Sequence, residues 1–195
     1  MGIKAIETIY NGYKFRSRLE ARWAVFFDAL NIKYEYEPEG ILEDKPYTLC
    51  SKEKEEKGYL PDFYLPRFHC YFEVKRNGIK NTAEGKDAIS KISYGMHHGE
   101  WVGLIAFGDP MDNDLTIFCQ EYNDSSGGNY EEGVEFNIVD DSIVLQTIHD
   151  TRDRTFLDFK FNELPIITEQ GTIHPSVVLA KEKARQARFE HGEKP

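Results

Sequence analysis

Four charged side chains in this sequence, three carboxylates and one lysine, are spaced so that folding could bring them together. Glu73 and Lys75 are separated by one residue in a strand-like segment, and Asp62 precedes them by a short stretch of chain. Because successive side chains of a strand alternate between its two faces, Glu73 and Lys75 share one face. If the segment after Asp62 pairs antiparallel with this strand through a short turn, Asp62 lies beside Glu73. The fourth residue, Glu20, lies on a predicted helix upstream.

Two neighbouring carboxylates repel each other, and a divalent cation between them relieves that repulsion. Mg²⁺ prefers oxygen ligands in an octahedron, and Mn²⁺ is its expected substitute. The suitable donors are the side chains of Asp62 and Glu73 and the backbone carbonyl of Val74, with Glu20 binding directly or through water. Lys75 would then orient, or accept a proton from, a water molecule that attacks a phosphate. Such a metal activates the water and neutralises charge that develops on the phosphoryl oxygens.

Each of these residues also has an ordinary structural interpretation. Ser17 and Glu20 have the spacing of a capping box, in which the glutamate bonds back to the start of its helix. An aspartate after a proline, such as Asp62, is typical of a turn. Glu73 and Lys75 taken alone are typical of a solvated strand face. The metal-site interpretation therefore depends on all four side chains meeting at one place.

The segments around these residues predict the elements that position them. Residues 17–30 carry apolar side chains at spacings of three and four, which predicts an amphipathic helix with Ser17 as its N-cap. Strands are predicted at 34–37, 59–65, 69–75, 101–107, 115–121, 134–139, 143–148 and 155–161. Two further helices are predicted at 82–98 and 177–190, and the charged run 52–57 is typical of a solvated loop. This order indicates an α/β core followed by a β-rich extension.

Charge is unevenly distributed along the 195 residues. The formal net charge of −10 argues, taken alone, against nucleic acid as a partner, because phosphates repel an acidic surface. Residues 101–172, however, hold fifteen acidic residues against three basic ones, whereas residues 1–100 are balanced and residues 173–195 are slightly basic. The excess acidity therefore argues only against DNA running across the segment 101–172.

Composition and motifs exclude several other classes of protein. No apolar run approaches the ~18–20 residues of a membrane span, and the N-terminal residues lack the apolar stretch of a signal peptide. The three cysteines are far apart and form no C-x-x-C motif, which favours a reducing, cytoplasmic location over a disulfide framework. Zinc-ligand spacing, a Gly-x-Ser-x-Gly elbow and a phosphate-binding glycine loop are all missing from the sequence.

The candidate ligands together spell a known motif, PD-x10-ExK, in Pro61-Asp62 and Glu73-Val74-Lys75. The motif follows a helix that bears an acidic residue and precedes a helix and a buried strand. In this pattern the chain resembles the PD-(D/E)xK, or restriction-endonuclease-like, nuclease superfamily across about residues 13–108. It is most similar to small phage and bacterial nucleases of the junction-resolvase and transposon-nuclease type.

The resemblance implies an αβββαβ core with a mixed sheet and Mg²⁺-dependent hydrolysis of phosphodiester bonds in DNA by an endonuclease. It places the acidic roles on Glu20, Asp62 and Glu73 and the lysine role on Lys75. We expect a nuclease core at 1–108, an acidic β-rich extension of the same domain at 109–172, and a basic helix and tail at 173–195. A homodimer and a cytoplasmic location, in a phage-infected host for a phage-encoded nuclease, agree with this resemblance.

Basic residues near the motif are candidate DNA contacts, although each is also compatible with an ordinary exposed helix position. They are Arg16, Arg18, Arg22, Lys86 and Lys91. The C-terminal basic helix either contacts DNA or packs on the core. The acidic segment 101–172 leaves a rival hypothesis, a non-catalytic phage-type inhibitor or DNA mimic that binds a basic protein partner.

Overall fold

The computed structural model describes residues 5–38, 60–96, 102–112, 114–120, 129–148, 166–167 and 171–189. Within these residues the chain forms a mixed α/β fold, built on one sheet of eight strands and a separate two-stranded hairpin. None of the described helices is long and apolar enough to cross a membrane. The predicted strand at 155–161 and the charged run 52–57 lie outside the described residues.

The predicted helices and strands that fall within the described residues occur in the predicted order, whereas the hairpin before the first helix and the two-residue strand at Ile166–Ile167 were not predicted. The strands are β1 (Thr8–Tyr10), β2 (Tyr13–Phe15), β3 (Glu35–Tyr36), β4 (Phe63–Leu65), β5 (Cys70–Lys75), β6 (Val102–Phe107), β7 (Leu115–Gln120), β8 (Asn129–Val139), β9 (Ser142–Thr147) and β10 (Ile166–Ile167). The α-helices are α1 (Arg18–Ala29), α2 (Ala83–Met96) and α3 (Pro175–Gln186). A short 3₁₀ turn, Pro66–Phe68, joins β4 to β5.

The large sheet is mixed, as the family resemblance implies. Its spatial order is β10-β9-β8-β7-β6-β5-β4-β3. Strands β3, β4 and β5 pair antiparallel, and β5 then pairs parallel with β6. A parallel pair needs a crossover connection, and α2 supplies it. Strands β7, β8 and β9 extend the same sheet antiparallel, so the acidic half of the chain continues the sheet that carries the motif.

Two apolar clusters cover opposite faces of this sheet. The larger cluster packs α1 and α3 against Phe72 and Val74 of β5 and alternate residues of its neighbours. The smaller cluster packs α2 against Ile105 and Phe107 of β6. In the β5–β6 register Glu73 lies opposite Ile105 and Lys75 opposite Phe107. Glu73 and Lys75 therefore project toward the α2 face, away from the main core, as strand alternation predicts.

Several boundaries differ from the predicted ones by a few residues. Strand β4 begins at Phe63, because Pro61 lacks the N–H group that a ladder position requires. The connection to β5 is tight and includes His69 with φ 43°. Strand β8 is five residues longer at its start than the predicted segment 134–139. Helix α3 begins two residues earlier than predicted, at a proline that suits the first helical turn, and ends at Gln186.

Candidate active site

The ends of β4 and β5 bring three of the four predicted residues into contact. Phe63 pairs with Phe72, so Asp62, one residue before β4, falls beside Glu73. The Asp62 backbone N–H donates to Glu73 Oε2 at 3.2 Å, and Lys75 Nζ contacts Glu73 Oε1. Asp62 is only 3% exposed and Glu73 only 2%. A chain that buries two adjacent carboxylates accepts a desolvation cost that packing alone does not require.

Asp62 uses its two carboxylate oxygens differently. Oδ2 accepts the backbone N–H of Val74 at 2.8 Å, so the Val74 backbone contacts the site directly. Oδ1 accepts Arg16 Nη2 at 2.7 Å. Burial, and then the neighbouring charges of Glu73 and Glu20, raise the pKa of Asp62 to about 8. These surroundings therefore disfavour negative charge on Asp62, and a cation bound beside it would offset that unfavourable interaction.

Lys75 is a charged partner for Glu73. Burial acts to lower the pKa of Lys75, but attraction to the Glu73 carboxylate outweighs it, and the net pKa lies above its usual value. The Lys75 side chain is therefore an ammonium group at neutral pH, able to donate hydrogen bonds and to stabilise negative charge. About a quarter of this side chain is exposed, so its end reaches solvent while Glu73 stays buried.

Glu20 is held by the start of α1, as the capping alternative describes. Its Oε1 accepts the Ser17 hydroxyl at 2.7 Å, and the Ser17 oxygen in turn accepts the Glu20 N–H at 3.2 Å. Oε2 accepts the Arg16 N–H at 3.0 Å and the Tyr36 hydroxyl at 2.7 Å. Across the described residues, no three acidic, histidine or cysteine side chains are grouped closely enough to hold a metal ion. Glu20 thus lies near the pair of Asp62 and Glu73 without joining it.

Substitution of Glu20 distinguishes a cap from a metal ligand. If the carboxylate is chiefly a cap, Glu20→Gln keeps an amide oxygen that can still cap, so it lowers the free energy of unfolding by less than the about 1 kcal/mol expected for Ser17→Ala. Urea unfolding without metal measures both, and Glu35→Gln on the exposed edge of β3 is the matched control. An increase in the free energy of unfolding for Glu20→Gln would instead show that the Glu20 carboxylate is repelled by Asp62 and Glu73, as expected of a metal ligand in the absence of metal.

Among the predicted DNA contacts, Arg16 contacts the site directly through Asp62. Arg22 Nη1 lies 3.5 Å from Asp109 Oδ2 in the loop after β6, and Lys91 Nζ lies 2.6 Å from Asp87 Oδ2. Lys86 is exposed on α2, and Arg18 is half-buried at the first residue of α1.

Sequence reasoning missed the residues that fix the site from outside the motif. Glu37 pairs with Arg16 Nε at 2.6 Å, and Tyr36 binds Glu20. The Gly108 N–H donates to the Lys75 carbonyl at 2.7 Å, while the Gly108 carbonyl accepts the Trp23 indole N–H at 2.9 Å. These contacts join segments distant in sequence. The sequence signal nearest to these contacts is the Gly-Asp-Pro turn. It predicts where β6 ends, but it does not predict which residues form hydrogen bonds with Gly108.

Acidic side chains described in the segment 101–172 are partly neutralised within the fold. Asp109 faces Arg22, and Asp114 Oδ1 lies 3.0 Å from Lys80 Nζ. Glu135 Oε2 lies 3.9 Å from Lys181 Nζ, and its Oε1 accepts the Gln146 side-chain amide at 3.0 Å. Many of the remaining acidic residues of this segment lie outside the described residues.

The chemistry of the site depends on the residues that form it. Buried neighbouring carboxylates, a lysine at the same strand end and an arginine reaching in from solvent are its components. Comparison with protein-family models, with curated proteins and with solved structures found no match to this chain.

Proposed function

We propose that this protein is a Mg²⁺-dependent DNA endonuclease with a restriction-endonuclease-like core. One observation carries the proposal: Asp62 and Glu73, both buried, lie side by side at the end of β5 with Lys75 on the same face. A fold gains no packing energy from such a group, whereas phosphoryl transfer requires a metal and a positioned cation. The order α1-β3-β4-β5-α2-β6 also matches the αβββαβ plan that the resemblance implies.

The residues present fit a hard divalent cation. Asp62 Oδ1 and Glu73 Oε1 are the carboxylate oxygens that now face cationic side chains rather than backbone amides. These two oxygens and the Val74 carbonyl are the hard donors that would hold Mg²⁺, with Glu20 contributing through water from its cap. When bound, Mg²⁺ supplies activation of the attacking water and neutralisation of the phosphoryl oxygens.

Lys75 has the role of an electrostatic and orienting group in this proposal. Its pKa lies above the usual lysine value, so the ammonium form persists and a proton-accepting role is disfavoured. An ammonium at the edge of the site can hold the attacking water and stabilise charge on the phosphate in the transition state. Gly108 and Trp23 fix the backbone at this strand end through the two hydrogen bonds described above.

Cleavage assays with a metal series test the proposal. Supercoiled, linear and branched DNA incubated with the protein in Mg²⁺ or Mn²⁺ should be cut, and a chelator should abolish cutting. Asp62→Asn and Glu73→Gln should each abolish it too, since each removes a carboxylate ligand while keeping the side-chain shape.

Two outcomes would contradict the proposal. One is the absence of cleavage on every substrate and with either metal. The other is cleavage that survives both carboxylate substitutions, because a contaminating nuclease would then explain it. A stable, salt-sensitive protein partner recovered from bacterial lysate, together with no cleavage, would favour the rival inhibitor function.

A further inference from the structure

We propose that Arg16 competes with the divalent cation for Asp62 and, once displaced, binds a DNA phosphate, so that metal and DNA bind cooperatively through this one side chain. The inference rests on the proposed function, because it assumes that Asp62 is a metal ligand. Beyond that function, Arg16 has two alternative partners, the Asp62 carboxylate when metal is absent and a DNA phosphate when metal is bound.

The contacts of Asp62 leave one oxygen for a cation, and Arg16 occupies it. Oδ2 is taken by the Val74 backbone N–H, a bond fixed by the strand. Oδ1 accepts Arg16 Nη2 at 2.7 Å. A guanidinium and a divalent cation at this oxygen repel each other, because both are positively charged. Arg16 in its present position therefore opposes metal binding at Asp62, and binding is favoured when Arg16 moves away.

The Arg16 side chain can move while the Arg16 backbone stays fixed. Its N–H donates to Glu20 Oε2 and to the Tyr36 hydroxyl, both at 3.0 Å, immediately before the cap of α1. Its side chain, by contrast, is 56% exposed, against 5% for the Asp62 side chain that it contacts. The guanidinium thus enters the site from solvent, and withdrawing it disturbs no core packing.

A second carboxylate keeps the guanidinium close to the site after displacement. Arg16 Nε lies 2.6 Å from Glu37 Oε1, and the Glu37 side chain is a third exposed. Held there, the Nη groups released by Asp62 face outward. A planar guanidinium with free donors binds a phosphate through two parallel hydrogen bonds. The scissile strand would bring such a phosphate to the same side of the site.

Thermodynamic linkage requires that metal and DNA change each other's binding affinity by the same factor. If metal binding frees Arg16 for DNA, then DNA binding must strengthen metal binding by the same factor. An arginine that only contacts phosphate would change DNA affinity and leave metal affinity alone. An arginine that only supports the site would weaken metal binding when removed. The competing role predicts tighter metal binding on removal, and a larger effect than removal of a nearby charge that does not contact Asp62.

Direct measurement of Mn²⁺ binding, without DNA, tests the competition. Isothermal titration or electron paramagnetic resonance on the full chain should show Mn²⁺ binding to Arg16→Gln about two- to fivefold more tightly than to wild type, as expected for loss of one partly exposed ion pair. Arg16→Lys retains a competing charge and should stay close to wild type. Arg76→Gln is the matched control, since it removes the same charge near the site from a pair with Glu84.

The second measurement is the coupling itself. DNA affinity of a Lys75→Ala background, chosen because it slows cutting, should rise with Mn²⁺ when Arg16 is present, and this rise should shrink or vanish with Arg16→Gln. Equal or weaker Mn²⁺ binding by Arg16→Gln, with binding by wild type intact, would overturn the inference and leave the nuclease proposal standing. Failure of wild type and both Arg16 variants to bind Mn²⁺ would overturn the two together. Thermal melting of each variant confirms that the fold is retained.

Discussion

Replacing Lys75 with alanine is expected to lower the rate of metal-dependent DNA cleavage by about two to four orders of magnitude. The ammonium group lies against Glu73 Oε1 at the end of β5, where an attacking water and a phosphate would meet. Its loss removes a positive charge that acts on the transition state more than on bound DNA. Single-turnover cleavage rates at saturating Mg²⁺, with DNA affinity measured separately, report this effect as a fall in rate with little change in binding.

A lysine on the same face of the sheet provides the control for Lys75. Lys80 Nζ binds Asp114 Oδ1 and the Thr116 hydroxyl, both at 3.0 Å. Lys80→Ala removes an identical charge and should leave the cleavage rate within a few-fold of wild type, because that side chain contacts neither Asp62 nor Glu73. Equal losses in the two variants would point to a general charge effect and contradict a specific role for Lys75.

Stability must be followed in the same variants. Lys75→Ala leaves the buried Glu73 without its cationic partner, and an unpaired buried charge is destabilising. We therefore expect Mn²⁺ to raise the melting temperature of Lys75→Ala more than that of wild type, since the metal replaces the missing charge. This comparison separates a variant that has lost catalysis from one that has lost its fold.

The position of the carboxylate pair could be predicted from sequence because it depends on short-range rules. Strand alternation sets the faces of Glu73 and Lys75, and a tight connection between β4 and β5 places Asp62 beside Glu73. The apolar spacing of α1 and its Ser17 cap are equally local. Each of these features needs only the periods of the helix and strand and the chemistry of a turn.

The groups that surround the pair could not be predicted, because they meet through tertiary packing. Arg16 could be assigned to a helix edge, yet nothing in its local sequence indicates that it reaches Asp62 and Glu37. Glu20 was compatible with both a cap and a ligand, and the Tyr36 hydroxyl that helps to hold it lies on another element. A single sequence specifies such contacts only through the whole fold.

Phe72→Ala is expected to cost about 3–5 kcal/mol of unfolding free energy, the range typical of a fully buried phenylalanine. The side chain is fully buried on the strand that carries the motif. Its ring centroid lies 4.8 Å from that of Trp23 and 5.2 Å from that of Phe27, both on α1. Urea unfolding should show the loss as a lower midpoint with little change in slope. Leu179→Ala on α3, where the residue is 64% exposed, should stay within about 0.5 kcal/mol of wild type.

The burial of Phe72 also determines which side chains lie on the opposite face of β5. A shift of β5 by one residue would turn Phe72 and Val74 outward and bury Glu73 and Lys75 among the aromatic rings of α1. The cost of burying two charges there makes that register inaccessible, so the packing of Phe72 holds the carboxylate beside Asp62. Phe72→Leu, which keeps most of the apolar volume, should therefore retain more stability and a normal Mn²⁺ affinity. A loss below about 1 kcal/mol for Phe72→Ala would contradict the core placement of this face and, with it, the register that positions Glu73.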